Sequence, residues 1–235
     1  MTTRPLLASL LGLGLLLGTH AAVAATPTSF TARYNVSQGG EPMGEATVTL
    51  HPAGNGEWVY SRDVKGTGGM AAMMGASTKE SSRFRWKGNA PEAISYDYQL
   101  NSAIKNKQRH MLVDWTKQLV TVDEGKGPSS YPAIAGMVER NTTPLALGFA
   151  LLNGQQQIAL PVAVRQEVQT QNFKVTGKES IKVPAGTFNA ERIDRTDAER
   201  GFSAWYVPDR YPLPVKLSQH DGGDMVMELV SYKAN

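Results

Sequence analysis

Apolar residues recur at every second position along most of this chain, and no other feature constrains its fold as strongly. Phe30, Ala32, Tyr34 and Val36 alternate with polar neighbours, Gly39 and Gly40 reverse the chain, and Ala46, Val48 and Leu50 resume the pattern. Successive side chains of a strand point to opposite faces, so this spacing sets one face against a core and the other toward water. The two runs predict a hairpin. A turn over residues 52–56 follows, after which Trp58, Tyr60 and Val64 share an apolar face with Arg62 among them. The alternation returns at Ile94, Tyr96, Tyr98 and Leu100, at Met111, Val113 and Trp115, at Val120 and Val122, and at Phe173 and Val175. It returns again at Ala190, Arg192 and Asp194, opposite Ile193. Turn chemistry agrees: Pro184-Ala185-Gly186 precedes Phe188, and Asp221-Gly222-Gly223-Asp224 separates residues 215–219 from 225–232. Two carboxylates in that last turn are too few for the roughly six to eight oxygens of a calcium site. The expected fold is mainly β, a single-domain curved antiparallel sheet or incomplete barrel with one or two covering helices.

Two segments break the period. Over residues 144–153, Leu145, Leu147, Phe149, Leu151 and Leu152 form a nearly continuous apolar run, with Thr143 placed to cap, Pro144 at the first helical position and Gly154 past the end. This predicts a helix that is apolar all round, and such a helix must be covered, here by the concave face of the sheet. Over residues 66–77, Met70, Met73 and Met74 lie among glycines and alanines. Two readings fit: pliable thioethers plug the end of the core, or the segment is a lid over an apolar cavity, hinged at Gly66, Gly68, Gly69 and Gly75.

The N-terminus has the grammar of a secretory signal peptide: Arg4, an apolar stretch over residues 6–17, and Ala22-Val23-Ala24 as a small-x-small site. Cleavage is placed after Ala24, with Ala25 as the alternative. The apolar stretch is shorter than the ~20 residues that span a bilayer and is broken by Ser9, Gly12 and Gly14. Residues 1–24 are therefore read as the leader and residues 25–235 as one mostly β domain, exported to the periplasm with no stable membrane anchor. The chain has no cysteine, which excludes disulfide scaffolds, Cys-ligated metals, thiol nucleophiles and a lipidated N-terminal cysteine. Its net charge is only +3, and its basic residues alternate with acids and amides, so nucleic acid is not an expected partner.

Catalytic motifs are scarce. His51, His110 and His220 have no metal-ligand spacing, and neither a GxSxG elbow nor a phosphate-binding glycine loop occurs. Ser102-Ala103-Ile104-Lys105 matches SxxK without the SDN and KTG companions. Asp194, Asp197 and Glu199 alternate with arginines, as solvated ion pairs do. No catalytic residue, metal or cofactor is assigned, and the chain is not expected to be an enzyme.

The order FTARYNV, EPMGEATVTL, Val113-Asp114-Trp115, VTGKESIKVPAGTFNAERIDR, Ala204-Trp205-Tyr206-Val207-Pro208-Asp209 and YPLPVKL resembles a bacterial envelope family, domain of unknown function family 3108, over residues 30–232. In physical terms these pieces look like scaffold. Pro184 and Gly186 turn the chain so that Phe188 and Ile193 re-enter the core, a strand through Trp205 ends at Pro208 and Asp209, and Pro214 stiffens the loop before Val215 and Leu217 face inward. The resemblance implies an incomplete antiparallel barrel closed by helices over an apolar cavity, similar to the periplasmic lipoprotein carrier and its outer-membrane receptor. The family's function is itself largely unassigned, and this chain lacks the receptor's lipidated cysteine.

The expected role is non-catalytic binding of an apolar or amphipathic ligand, such as a lipid, or of an envelope protein partner. The cavity lining would be Trp58, Trp86, Tyr96, Trp115 and Phe149 with Met70, Met73 and Met74. The rival is an assembly protein that pairs a sheet edge with a partner's strand and has no cavity.

Overall fold

Every alternating run named above forms or ends a strand. The computed structural model describes residues 28–198, 201–220 and 223–235. The segment read as a leader and the expected cleavage position, like Glu199, Asp221 and Gly222, lie outside the described residues. The first half of the chain is a meander of β1 (Phe30–Gln38), β2 (Glu41–Gly54), β3 (Glu57–Gly66), α1 (Gly69–Met73), β4 (Ser77–Lys87), β5 (Ala90–Asn101), β6 (Lys107–Asp114), β7 (Leu119–Asp123) and β8 (Pro128–Pro132). There follow β9 (Val138–Glu139), α2 (Thr143–Leu152), β10 (Gln157–Ala163), β11 (Val168–Val183), β12 (Gly186–Arg195), β13 (Phe202–Tyr206), β14 (Lys216–Gln219) and β15 (Met225–Ala234).

These strands make one sheet in the order β8-β7-β6-β5-β4-β3-β2-β1-β15-β14-β13-β12-β11-β10-β9. The first and last strands are neighbours mid-sheet, and the sheet's own ends are β8 and β9. All pairs are antiparallel except β9 with β10. A twisted sheet of this many strands curls, and here its two ends approach: the Ala93 N–H on β5 donates to the Met137 carbonyl at 2.9 Å, and the Tyr131 hydroxyl on β8 donates to the Val164 carbonyl at 2.5 Å. The result is an incomplete barrel. Its edges are blunt, because β8 is five residues bounded by Pro128 and Pro132, and β9 is two buried residues.

Irregular pairing alters the faces that alternation predicts in two strands. An irregularity opposite Arg83 and Phe84 shifts the register of β5, so Ala93 and Tyr96 both point inward and Ile94 is half-exposed. In β12, Ala190 and Ile193 are both buried, although alternation sets them on opposite faces; in the paired strand β11, Thr176 is the extra residue between Val175 and Gly177. Trp115 lies just beyond the end of β6.

The helix α2 starts one residue before the predicted position. Its cap is Thr142, whose hydroxyl donates back to Glu139 instead of accepting a helix N–H. Gly154, at φ +78°, ends it. Ten residues do not hold a helix in water; this one is held by burial, with Leu145, Leu147, Phe149 and Leu151 in the main core beside Phe30, Leu50, Tyr60 and Phe84. Each such side chain contributes about 1.5–3 kcal/mol. The helix runs from the middle of the interior to the barrel end that carries the β4–β5 turn, where Asn89 Nδ2 donates to Asn153 Oδ1. At Gly148 it touches the loop after β13 so closely that a Cβ would stand 2.0 Å from the Pro212 carbonyl oxygen. Among the described residues no helix is long and apolar enough to cross a membrane.

Candidate functional site

A polar layer crosses the barrel interior above the start of α2. Arg62 on β3 and Glu80 on β4 are register partners on the inward face and form a buried ion pair. Tyr96 on β5 donates to Glu80 Oε2 at 2.6 Å, and Arg140, just after β9, approaches the same oxygen at 3.5 Å. Burial alone would raise the Glu80 carboxyl; Arg62, Arg140 and the Tyr96 hydroxyl outweigh it and hold the group below its usual range. Glu139 sits in the same layer. Its carboxylate accepts the Asn141 N–H at 2.6 Å, the Thr142 N–H at 3.1 Å and the Thr142 hydroxyl at 2.8 Å. Complete burial nevertheless pushes it up, with the Glu80 charge adding to the effect. Asn141 Nδ2 donates to Ser82 Oγ at 2.9 Å and ties the start of α2 to β4.

Below this layer α2 fills the barrel; above it the barrel is open. The opening holds a cavity of about 230 Å³. Its walls are Val36, Met43, Val64, Leu100, Met225 and Met227, its floor is the Arg62–Glu80 pair, and its roof is the α1 segment through Ala71 and Ala76. Arg62 Nε, at the floor, has no hydrogen-bond partner among the described residues. The roof is tied down. The Gly66 N–H donates to the Ala76 carbonyl at 2.8 Å and the Ala103 N–H to the Met74 carbonyl at 2.9 Å. Of the four glycines read as hinges, Gly69 and Gly75 have φ of +51° and +57° and bracket the helix. Gly66 and Gly68 instead permit close packing, since a Cβ there would lie 2.8 Å from Ala71 and 2.5 Å from the Pro42 carbonyl oxygen.

Beside the cavity, at the same end of the barrel, lies an open groove of about 890 Å³. Lys107, Arg109, Lys126, Arg140 and Arg165 line it, against Glu124 as the one lining carboxylate. Arg109 and Arg165 share Glu124, at 2.5 and 3.2 Å, and these charges hold its carboxyl low. The five cations come from β6, the β7–β8 turn, the residue after β9 and the β10–β11 turn. No basic run marks them in the sequence; the fold gathers what the linear pattern disperses.

The sequence-predicted residues do not converge on one cavity. Trp86 packs on Phe149, ring centroids 4.5 Å apart, and edge-on to Phe84, at the α2 end with Trp58 nearby in the same core. Tyr96 belongs to the polar layer. Trp115 donates its indole N–H to the Ala93 carbonyl at 2.9 Å, at the margin of a second cluster formed by Ala93, Tyr96, Met111, Val113, Val120 and Val122. Met70 and Met73 are 66% and 82% exposed, which overturns the reading of the methionines as a core plug. The segment does roof a cavity, with Ala71 and Ala76 lining it, and Met74 is half-buried. The interior beside α2 is filled by the helix itself; what remains there is an outer groove of about 370 Å³ between the helix and β10.

The motif residues lie elsewhere. Gly186, at φ +141°, opens β12 after Pro184. Trp205 is buried with its indole N–H on Glu179 at 3.0 Å and the Arg192 guanidinium over its ring. Pro208 and Asp209 form the turn after β13, and the Pro214 carbonyl accepts the Tyr34 hydroxyl at 2.9 Å. Ser102 and Lys105 close an exposed turn on each other, the Lys105 N–H donating to Ser102 Oγ. His110 and His220 face Asp97 and Asp224 at the surface. Among the described residues no three His, Asp or Glu converge as a metal site.

The family described as "Protein of unknown function (DUF3108)" matches residues 33–230. The chain belongs to this family. The cavity walls, the polar floor and all five groove cations of this DUF3108 chain fall within the matched span. Among solved structures, it is similar to a beta-barrel-like protein of domain of unknown function DUF1849 from Brucella abortus. That likeness has a TM-score of 0.49 at 10% identity, over 88% of this chain and 98% of the other. No curated protein matches it.

Proposed function

We propose that this DUF3108 chain is a non-catalytic periplasmic protein, exported by its leader, that binds an apolar or amphipathic ligand in the open end of its barrel. The observation that carries this reading is the roofed cavity of about 230 Å³ whose walls are aliphatic and methionine side chains while the rest of the barrel is filled. Small-molecule sites are concave and mostly apolar with a few fixed polar groups, and Arg62, Glu80 and Arg140 are those groups here. A binding role also suits the buried carboxylates, since Glu80 and Glu139 already direct their oxygens to the donors that hold the layer together. Blunt edges at β8 and β9 favour this reading over strand pairing with a partner.

Nile red fluorescence tests the location. Leu100→Trp narrows the mouth cavity, and Ala150→Trp obstructs the outer groove beside α2. Enhanced emission from wild type and Ala150→Trp, lost in Leu100→Trp, is the expected result. Loss in Ala150→Trp with Leu100→Trp unaffected would move the site away from the mouth.

A further inference from the structure

Strand register puts the cavity and the basic groove on one continuous surface. Across the inward face one rung runs Val64–Thr78–Leu100–Lys107, and the rung below it runs Arg62–Glu80–Tyr98–Arg109. Each rung passes from cavity wall to groove wall within one or two strands, and strands lie about 4.8 Å apart. Tyr98 and Arg140 border both spaces, with the Arg140 guanidinium 5.9 Å from the Tyr98 ring centre. The mouth is thus apolar on the β1–β3 and β15 side and cationic on the β6–β8 side. Within the groove, Lys107 and Lys126 are exposed and make no ion pair among the described residues, while Glu124 is shared by Arg109 and Arg165. Positive charge therefore exceeds what the lining neutralises.

We propose that the ligand is a single-chain amphiphile with an anionic headgroup. Its alkyl chain occupies the cavity beneath α1, and its acid group lies in the groove, reached by Lys107, Lys126 and Arg140. The proposal deepens the mouth-cavity reading and rests on it. Size selects the single chain: about 230 Å³ is below the roughly 300–1,000 Å³ of ordinary small-molecule pockets, so it takes part of one alkyl chain, the rest lying in the mouth toward the groove, and has no room for two acyl chains side by side. Charge selects the acid, because a desolvated or partly screened cation cluster favours an anion over a zwitterion of equal chain length.

The test is titration of the full mature chain, at low and then physiological salt, with dodecanoate, dodecyl phosphate, dodecylphosphocholine and inorganic phosphate. Wild type, Lys107→Glu/Lys126→Glu and Leu100→Trp are compared, each checked for folding by its thermal melt. The expected result is that dodecanoate and dodecyl phosphate bind roughly tenfold or more tightly than dodecylphosphocholine, a gap that narrows with salt. Lys107→Glu/Lys126→Glu closes the gap and leaves dodecylphosphocholine unchanged; Leu100→Trp weakens all three. Carboxylate against phosphate affinity then tells a fatty acid from a lysophospholipid-like headgroup. Equal binding of all three amphiphiles, still lost in Leu100→Trp, overturns the anionic selection and leaves the cavity reading standing. Binding of inorganic phosphate as tight as dodecyl phosphate overturns the role of the chain. No alkyl binding, or binding indifferent to Leu100→Trp, overturns both.

Discussion

Arg62 occupies a position on β3 where alternation calls for an apolar side chain, and its charge is what divides the barrel into a filled and an open end. The sequence shows Arg62 on the inward face among Trp58, Tyr60 and Val64, but its partner Glu80 stands on the next strand, beyond the segment that roofs the cavity, and nothing in the linear pattern joins them. A buried pair contributes little against well-packed apolar replacements, whereas severing it strands a charge. Arg62→Met is therefore expected to cost about 3 kcal/mol, the low end for such a loss because Arg140 stays beside Glu80. Arg62→Met/Glu80→Gln, which keeps an acceptor for Tyr96, should recover most of it. Urea denaturation of the two variants checks this; a double variant as unstable as the single one would show that the pair is not the source of the loss. The same limit hid the groove. Lys107, Arg109, Lys126, Arg140 and Arg165 are ordinary strand-end and turn residues one by one, and only the sheet's curvature assembles them.

At the scale of elements, α2 and most strands were legible because period two and a nearly continuous apolar run between Pro144 and Gly154 have few alternatives, whereas β4, β8, β9 and β10 carry no such alternation of apolar with polar residues along their length. Bulges were not legible: an extra residue changes the face of everything beyond it without changing the local pattern, as Ile94 shows. The methionines of α1 misled for a related reason, since helical spacing says which residues share a face but not whether that face is covered. What the spacing within α2 also conceals is its contact at Gly148. In an open helix, alanine there would add stability of about 1 kcal/mol. With a Cβ set 2.0 Å from the Pro212 carbonyl, the helix or the loop must shift, and overpacking of this kind costs about 1–3 kcal/mol. Gly148→Ala is expected to lower the denaturation midpoint with an unchanged m value. A raised midpoint would mean that the helix is free to move off the loop.

The molecule as a whole is a single sheet whose first and last strands pair at its centre and whose two ends curl together, stoppered at one end by α2 and open at the other beneath α1. Fold class was within reach of the sequence, because many short alternating runs with turn signals admit few architectures. Which end is open was not, because that follows from where α2 enters and where Arg62, Glu80 and Glu139 form their layer. The central claim is that the open end holds a ligand. Native mass spectrometry of protein expressed from the full sequence in a bacterial host and purified without detergent tests it most directly. One acyl-chain mass per polypeptide, carried by wild type and lost in Leu100→Trp, is the predicted spectrum. A bare polypeptide mass in both, unchanged when fatty acids and phospholipids are added, would contradict the account.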